Sequence, residues 1–167
     1  MREDGGRKLE MGDLDQALGF LLSRARQQAF REFDEAFGPL EVSPRLYSVL
    51  ILLKNNPGCR QADIGVSLDT LQTNLVRRID HLVERGLVTR SPDPADRRAK
   101  VLQLTAEGVA LVQVAEERHQ AMLRTMRAKV GERTFDALVQ ALSDFVEPHG
   151  GVRSGIAAHG STDSGAL

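Results

Sequence analysis

The sequence predicts a mainly α-helical fold with a small two- or three-stranded β-wing, and three observations carry that prediction. Apolar residues recur at helical spacing from the start of the chain: Leu14, Leu18, Leu21 and Ala25 step by four, three and four. Helix-ending chemistry punctuates the periodic segments at Gly38-Pro39, Asn56-Pro57-Gly58, Gly86 and Gly131. One stretch alone, residues 87–104, reads as two short strands around a loop rich in proline and aspartate.

Each element has its own justification. Residues 1–12 are polar with mixed charge, and a flexible N-terminus is expected there. A first helix is expected over 13–37, its stripe continued by Phe30, Phe33 and Phe37. Proline lacks a backbone donor and disfavours helix before it, so Gly38-Pro39 ends this element. Ser43 is a good N-cap and Pro44 suits the first turn, which starts a second helix over 44–55 with Leu46, Val49, Leu50 and Leu53 inward. A short third helix is expected over 60–67 and a fourth over 71–85, stopped by Gly86. Strands follow at 87–91 and 100–104, where Leu102 and Leu104 alternate with Gln103. Thr105 caps a long fifth helix to about residue 130, with Val109, Val112, Met122 and Met126 on its apolar stripe. Gly131 breaks it, and a sixth helix carries Phe135, Leu138, Leu142 and Phe145 on one face. Five glycines among small polar residues make 148–167 a disordered tail by expectation, leaving one domain over 13–147.

Composition narrows the function. A chain of 167 residues with 41% hydrophobic and 27% charged residues suits a single globular domain with a real core. Tryptophan is absent and there is one tyrosine, which argues against stacking on unpaired bases as a main activity. The net charge is −1, a mild argument against nucleic-acid binding, and residues 60–100 hold eight basic against six acidic side chains. Affinity for a polyanion would then depend on where the arginines point. The single cysteine, Cys59, excludes an intrachain disulfide. Without an apolar leader or a membrane-length apolar run, a cytoplasmic location with no membrane partner is expected. No glycine-rich phosphate loop or nucleophile elbow is present, and the four histidines lack metal-ligand spacing, so neither an enzyme nor a cofactor is expected.

The fourth helix and the loop after it are the most informative segment. Leu75, Ile79 and Leu82 share a face and must point inward. At about 100° per residue, Thr70, Thr73, Arg77 and Asp80 fall opposite, with Asn74 and His81 alongside. Arginine pairs with guanine, asparagine with adenine, and threonine offers a hydroxyl and a methyl to base edges. A solvated amphipathic helix explains these residues equally well when they are taken alone. The loop adds specificity: Asp96 and Arg98 stand two apart near the tip of the strand pair, where a carboxylate could brace an extended arginine. A narrow minor groove attracts such a guanidinium. An exposed hairpin loop with ordinary surface charges is the competing reading.

The run RQADIGVSLDTLQTNLVRRIDHLVERGLVTRSPDPADRRAKVLQLTAEG resembles the winged helix-turn-helix of the MarR family of transcriptional regulators. Asp96-Arg97-Arg98-Ala99 matches that family's wing motif, and the Arg-Gly-Leu-Val and Leu-Thr-x-x-Gly segments match too. The resemblance covers about 13–146 in helix order and about 60–108 in motif. It implies a winged helix-turn-helix over 44–105 with N- and C-terminal dimerisation helices at 13–37 and 106–147. It implies a homodimer on a pseudo-palindromic double-stranded DNA operator, acting as a repressor released by a small-molecule effector. Gln72, Thr73, Asn74 and Arg77 would face the major groove and Arg78 its rim, with Arg97 and Arg98 on the wing and Asp96 as brace. Two residues depart from the pattern: Asp69 stands where glycine is usual, and Leu71 where a capping serine or aspartate is usual. Either Asp69 caps the helix early or the turn is altered.

The phenylalanine stripes on the first and sixth helices exceed what a small DNA-binding core can bury, and two-fold pairing through them would cover both. Such a dimer would set the recognition helices roughly 34–36 Å apart. The family's ligand cleft implies Phe20, Arg24, Phe33, Tyr47 and His119 as effector contacts, for an anionic aromatic ligand or a thioester-linked acid. A core tyrosine and a surface arginine account for Tyr47 and Arg24 as well. Two alternatives stay open: a winged-helix protein-interaction module, and a thiol-based redox-sensing regulator working through Cys59.

Overall fold

The computed structural model describes residues 9–96 and 98–146. A 3-10 turn at Gly12–Gln16 leads into α1 (Leu18–Phe37), and a second at Gly38–Leu40 leads into α2 (Pro44–Asn55). Then come β1 (Cys59–Arg60), α3 (Gln61–Ser67), α4 (Gln72–Glu84), β2 (Val88–Pro92), β3 (Lys100–Leu104), α5 (Ala106–Val130) and α6 (Glu132–Phe145). This is a mainly α fold with a three-stranded antiparallel wing. Residues 1–8 and the expected tail at 148–167 lie outside the described residues.

The sheet order is β1-β3-β2, with Cys59 opposite Leu102, Val88 opposite Leu104 and Pro92 opposite Lys100. Pro92 therefore ends a strand rather than opening the loop, a place proline tolerates because β2 is an edge. The third strand corrects the expected start of the third helix: Arg60 is extended (φ −75°, ψ 144°), pairs with Val101, and serves as N-cap. The Asp63 carboxylate accepts the Arg60 N–H at 3.2 Å, which fixes that boundary.

The first helix also begins later than expected. Ala17 is extended (φ −69°, ψ 116°) and separates the 3-10 turn from α1, so Leu14 leaves the stripe. Among the described residues nothing buries that first turn, and Leu14, Leu18 and Leu21 are all exposed. Phe33 and Phe37, further along α1, are buried.

The core joins Phe33 and Phe37 to Leu46, Val49, Leu50 and Leu53 of α2, Ile64 of α3, and Leu75, Ile79 and Leu82 of α4. Leu87, Val88, Leu102, Val112 and Ala115 close it from the wing and α5. Val112 points inward as expected, whereas Val109 is 46% exposed, because Gly108 rather than Val109 meets the wing. A methyl group added at Gly108 would lie 2.1 Å from the Leu87 carbonyl oxygen. Thr105 completes this junction: its hydroxyl donates to the Gly86 carbonyl at 2.7 Å and accepts the Gly108 N–H at 2.9 Å. Its own N–H bonds the Leu87 carbonyl at 3.1 Å.

Gly86 ends α4 at φ +69°, and the N–H groups of Gly86 and Leu87 return to the carbonyls of Val83 and Leu82. This paired closure satisfies carbonyls that the helix leaves open. Arg85 donates to the Leu40 and Glu41 carbonyls (3.1 and 2.8 Å), tying the end of α4 to the segment between α1 and α2. Glu32 on α1 accepts from Lys129 on α5 and from Gln28, and these bonds hold its carboxyl below the usual range. Among the described residues α6 buries none of its side chains; Leu138, Leu142 and Phe145 stay open to solvent. No single described helix is long and apolar enough to cross a membrane.

Replacing Gly108 with alanine adds helix propensity but drives a methyl group into a carbonyl fixed by two elements. The clash should dominate: G108A is expected to lose about 1–3 kcal/mol, read as a lower urea midpoint at unchanged slope.

Candidate nucleic-acid interface

The turn between α3 and α4 decides where the outward helix starts. Asp69 takes a left-handed backbone (φ 44°), the conformation glycine adopts at low cost and aspartate tolerates better than most residues. The Thr70 N–H bonds the Gly65 carbonyl at 3.0 Å, and the Thr70 hydroxyl donates to Leu68 at 3.1 Å. The turn thus keeps its shape without glycine. Leu71 is the N-cap and makes no side-chain capping bond, so α4 begins at Gln72, one residue later than expected. With its apolar face sealed in the core, α4 turns its opposite face to solvent.

Gln72, Thr73, Asn74 and Arg77 are all exposed on the first two turns of α4. Gln72 lies close to α3: its amide nitrogen would sit 2.8 Å from a side chain placed at Gly65. Arg78 is half-buried and donates to the Thr70 hydroxyl at 3.4 Å, a long bond that turns it along the helix flank. Arg78, Asn74 and Thr70 line a groove with Arg45 from α2. Leu71 lines it as well and is 74% exposed. Asp80, an unfavourable charge beside phosphate, is paired with Arg90 of β2 at 2.6 Å.

The wing is held at its root and along its loop. Arg90–Asp80 links β2 to α4. Arg60 donates its Nε–H to Asp93 at 2.7 Å, linking the start of α3 to the loop. Asp93 is buried and also accepts the Ala95 N–H at 2.8 Å. That backbone bond first, and the Arg60 guanidinium next, hold the Asp93 carboxyl below its ordinary range. Sequence reading missed Asp93 because its partner lies 33 positions away.

Asp96 and Arg98 are both exposed near the tip, and Arg97 lies outside the described residues. The expected brace takes a main-chain form: the Asp96 carboxylate accepts the Arg98 N–H at 3.0 Å, and the Ala99 N–H bonds the Asp96 carbonyl at 2.8 Å. Among the described residues, no ion pair joins the Asp96 and Arg98 side chains. Asp96 therefore shapes the turn and leaves the Arg98 guanidinium available for an outside anion.

The five effector candidates fall into two groups. Phe33 stacks on Phe37 (ring centroids 3.8 Å), Tyr47 lies 5.3 Å from Phe37, and His119 lies 5.0 Å from Tyr47. Burial pushes the Tyr47 hydroxyl pKa up and the His119 imidazole pKa down, which keeps both neutral near pH 7. Phe20 and Arg24 stand nearer the start of α1, with the guanidinium 5.8 Å from the Phe20 ring centre, in an open cleft of about 730 Å3 that also includes Arg31. Cys59 is half-buried, and burial together with Asp63 raises its thiol pKa. No group of three or more potential metal ligands occurs among the described residues.

The Arg60–Asp93 tether generates a pH signature. A depressed carboxylate pKa contributes stability fully present above the unfolded value and lost as pH falls through the folded value. D93N should therefore unfold earlier than the natural chain at neutral pH, and the gap in urea midpoints should shrink as the medium is acidified below the ordinary carboxylate range. A gap that does not change with pH would contradict the tether.

Residues 42–100 match the family model described as MarR family. A putative transcriptional regulatory protein for the hcr operon of Thauera aromatica is 37% identical over 103 residues, covering 61% of this chain and 62% of that relative. The solved structure of the transcriptional repressor CouR bound to a 23-mer DNA duplex is 34% identical, with TM-score 0.81 over 83% of this chain and 98% of that one. CouR bound to p-coumaroyl-CoA is 32% identical, with TM-score 0.76 over 83% and 97%. A reader-like helix, a tethered arginine wing and these likenesses lead to one conclusion: the chain belongs to the MarR family of transcriptional regulators.

Proposed function

We propose that this protein is a homodimeric repressor that binds a pseudo-palindromic DNA operator and is released by a small anionic aromatic effector. The exposed Gln72, Thr73, Asn74 and Arg77 face of α4 carries the reading, because a core-sealed helix with this chemistry outward matches what major-groove base edges require. Arg78 contacts the groove rim, Arg98 enters the adjacent minor groove, and Arg97 adds a second wing cation. Asp96 holds the turn that presents Arg98. A relative solved on duplex DNA supports this assignment.

The exposed apolar faces of α1 and α6 support the dimer. Leu18, Leu21, Leu138, Leu142 and Phe145 would all be wet in an isolated protomer. Pairing would bury them and space two copies of α4 for successive major grooves.

The effector reading joins an aromatic cluster to a separate cationic cleft. Phe33, Tyr47 and His119 suit an aromatic ring, and Arg24 beside Phe20 suits a negatively charged extension of the same ligand. An aromatic acyl thioester of coenzyme A has both parts, and a relative's complex with p-coumaroyl-CoA favours that class. Release requires the ligand to prefer a dimer whose recognition helices no longer fit the operator. The thiol-switch alternative is disfavoured, because a Cys59 pKa raised by burial leaves little of the reactive thiolate.

Selection of genomic fragments on the purified protein, followed by sequencing, tests the reading. A pseudo-palindrome should be enriched. R98A should then lose roughly tenfold or more in affinity for it with the fold intact. p-Coumaroyl-CoA, as first probe of the thioester class, should weaken binding by the natural chain and do so less for R24A. No enrichment at low salt, or an R98A variant with unchanged affinity, would refute the proposed reader.

A further inference from the structure

We propose that the groove between the start of α2 and the start of α4 is a second DNA contact, a phosphate clamp in which Arg45 grips the strand flanking the recognition helix. The inference rests on the DNA-reading function proposed above and adds a residue outside the helix and wing.

The groove holds about 400 Å3 and brings together Arg45, Ser48, Asp69, Thr70, Asn74 and Arg78. Arg45 and Arg78, from different helices, both line it with the Asn74 amide as a further donor, while the Ser48 and Thr70 hydroxyls already donate to the Pro44 and Leu68 carbonyls. One carboxylate stands against those two cations. Arg45 is exposed and makes no ion pair among the described residues, unlike Arg60 and Arg90, which are committed to Asp93 and Asp80. Asn74 belongs both to this groove and to the outward face of α4. A duplex seated on that face would pass its sugar-phosphate backbone over the groove, since a recognition helix entering by its N-terminal half is flanked there by the groove rim. Guanidinium groups bind phosphodiester oxygens through paired charge-assisted bonds. Apart from Leu68 and Leu71 the lining side chains are polar or charged, so a phosphodiester fits better than an aromatic ligand.

A phosphate contact and a base contact leave different signatures. Neutralising one phosphate contact lowers affinity evenly across sequences and reduces the salt dependence. The test titrates the full chain, with R45A, R45K and R77A, against the selected operator and a scrambled duplex of equal length over a salt series. For R45A, affinity should fall roughly three- to tenfold per protomer on both duplexes, and the slope of log affinity against log salt should lessen by about 0.9 per protomer. R45K keeps the charge and should stay near the slope of the natural chain. R77A should lose affinity for the operator much more than for the scrambled duplex. An R45A slope equal to that of the natural chain, or a loss confined to the operator, would overturn the clamp. If R77A behaves as expected while R45A matches the natural chain, the clamp alone falls. If the natural chain binds neither duplex, both assignments fall.

Discussion

The close approach of Gly108 to the Leu87 carbonyl oxygen sets the position of everything that faces outward. Four elements meet within a few residues there: the end of α4, the start of β2, the end of β3 and the start of α5. A side chain at residue 108 would separate them, since even a methyl group would stand 2.1 Å from that oxygen. Thr105 then stitches the junction with bonds to Gly86, Leu87 and Gly108. The orientation of α4 relative to the wing is thus fixed by backbone geometry, which side-chain motion cannot relax.

From that junction two ion pairs extend the rigid unit toward the proposed DNA face. Arg90–Asp80 joins the wing to α4, and Arg60–Asp93 joins the wing loop to α3. The exposed Arg90–Asp80 pair adds little stability by itself. Both pairs also act by position, because they consume acids that would repel phosphate and tie the wing and its loop to α4 and α3. Beside the same junction, at the C-terminal end of α4, Arg85 bonds the Leu40 and Glu41 carbonyls, so a shift of the segment after α1 reaches α4 through a short hydrogen-bonded path. In the proposed switch that path would couple effector binding to helix spacing.

Much of this was legible in the sequence. The inward set Leu75, Ile79 and Leu82, the Ser43 and Thr105 caps and the Gly86 stop each follow from local rules, and each appears as expected. The misses have physical reasons. A two-residue strand at Cys59–Arg60 has no periodicity to detect and exists through its pairing with β3. Asp93 reads as a loop acid until its distant partner Arg60 is brought beside it. Leu14 fits a helical stripe by spacing, yet Ala17 is extended and, among the described residues, nothing buries Leu14. The effector candidates show the same limit: Tyr47 and His119 come together only because α2 and α5 cross, whereas Phe20 and Arg24 were neighbours on one helix from the start.

In the proposed function one rigid unit reads a major groove with α4 and the adjoining minor groove with its wing, twice on one operator. Methylation interference on the selected operator tests both grooves at once, because methylation at guanine N7 blocks the major groove and at adenine N3 the minor. Two patches of major-groove interference about one helical turn apart, each beside minor-groove interference, are the predicted result. A single patch, or interference restricted to one groove, would contradict it.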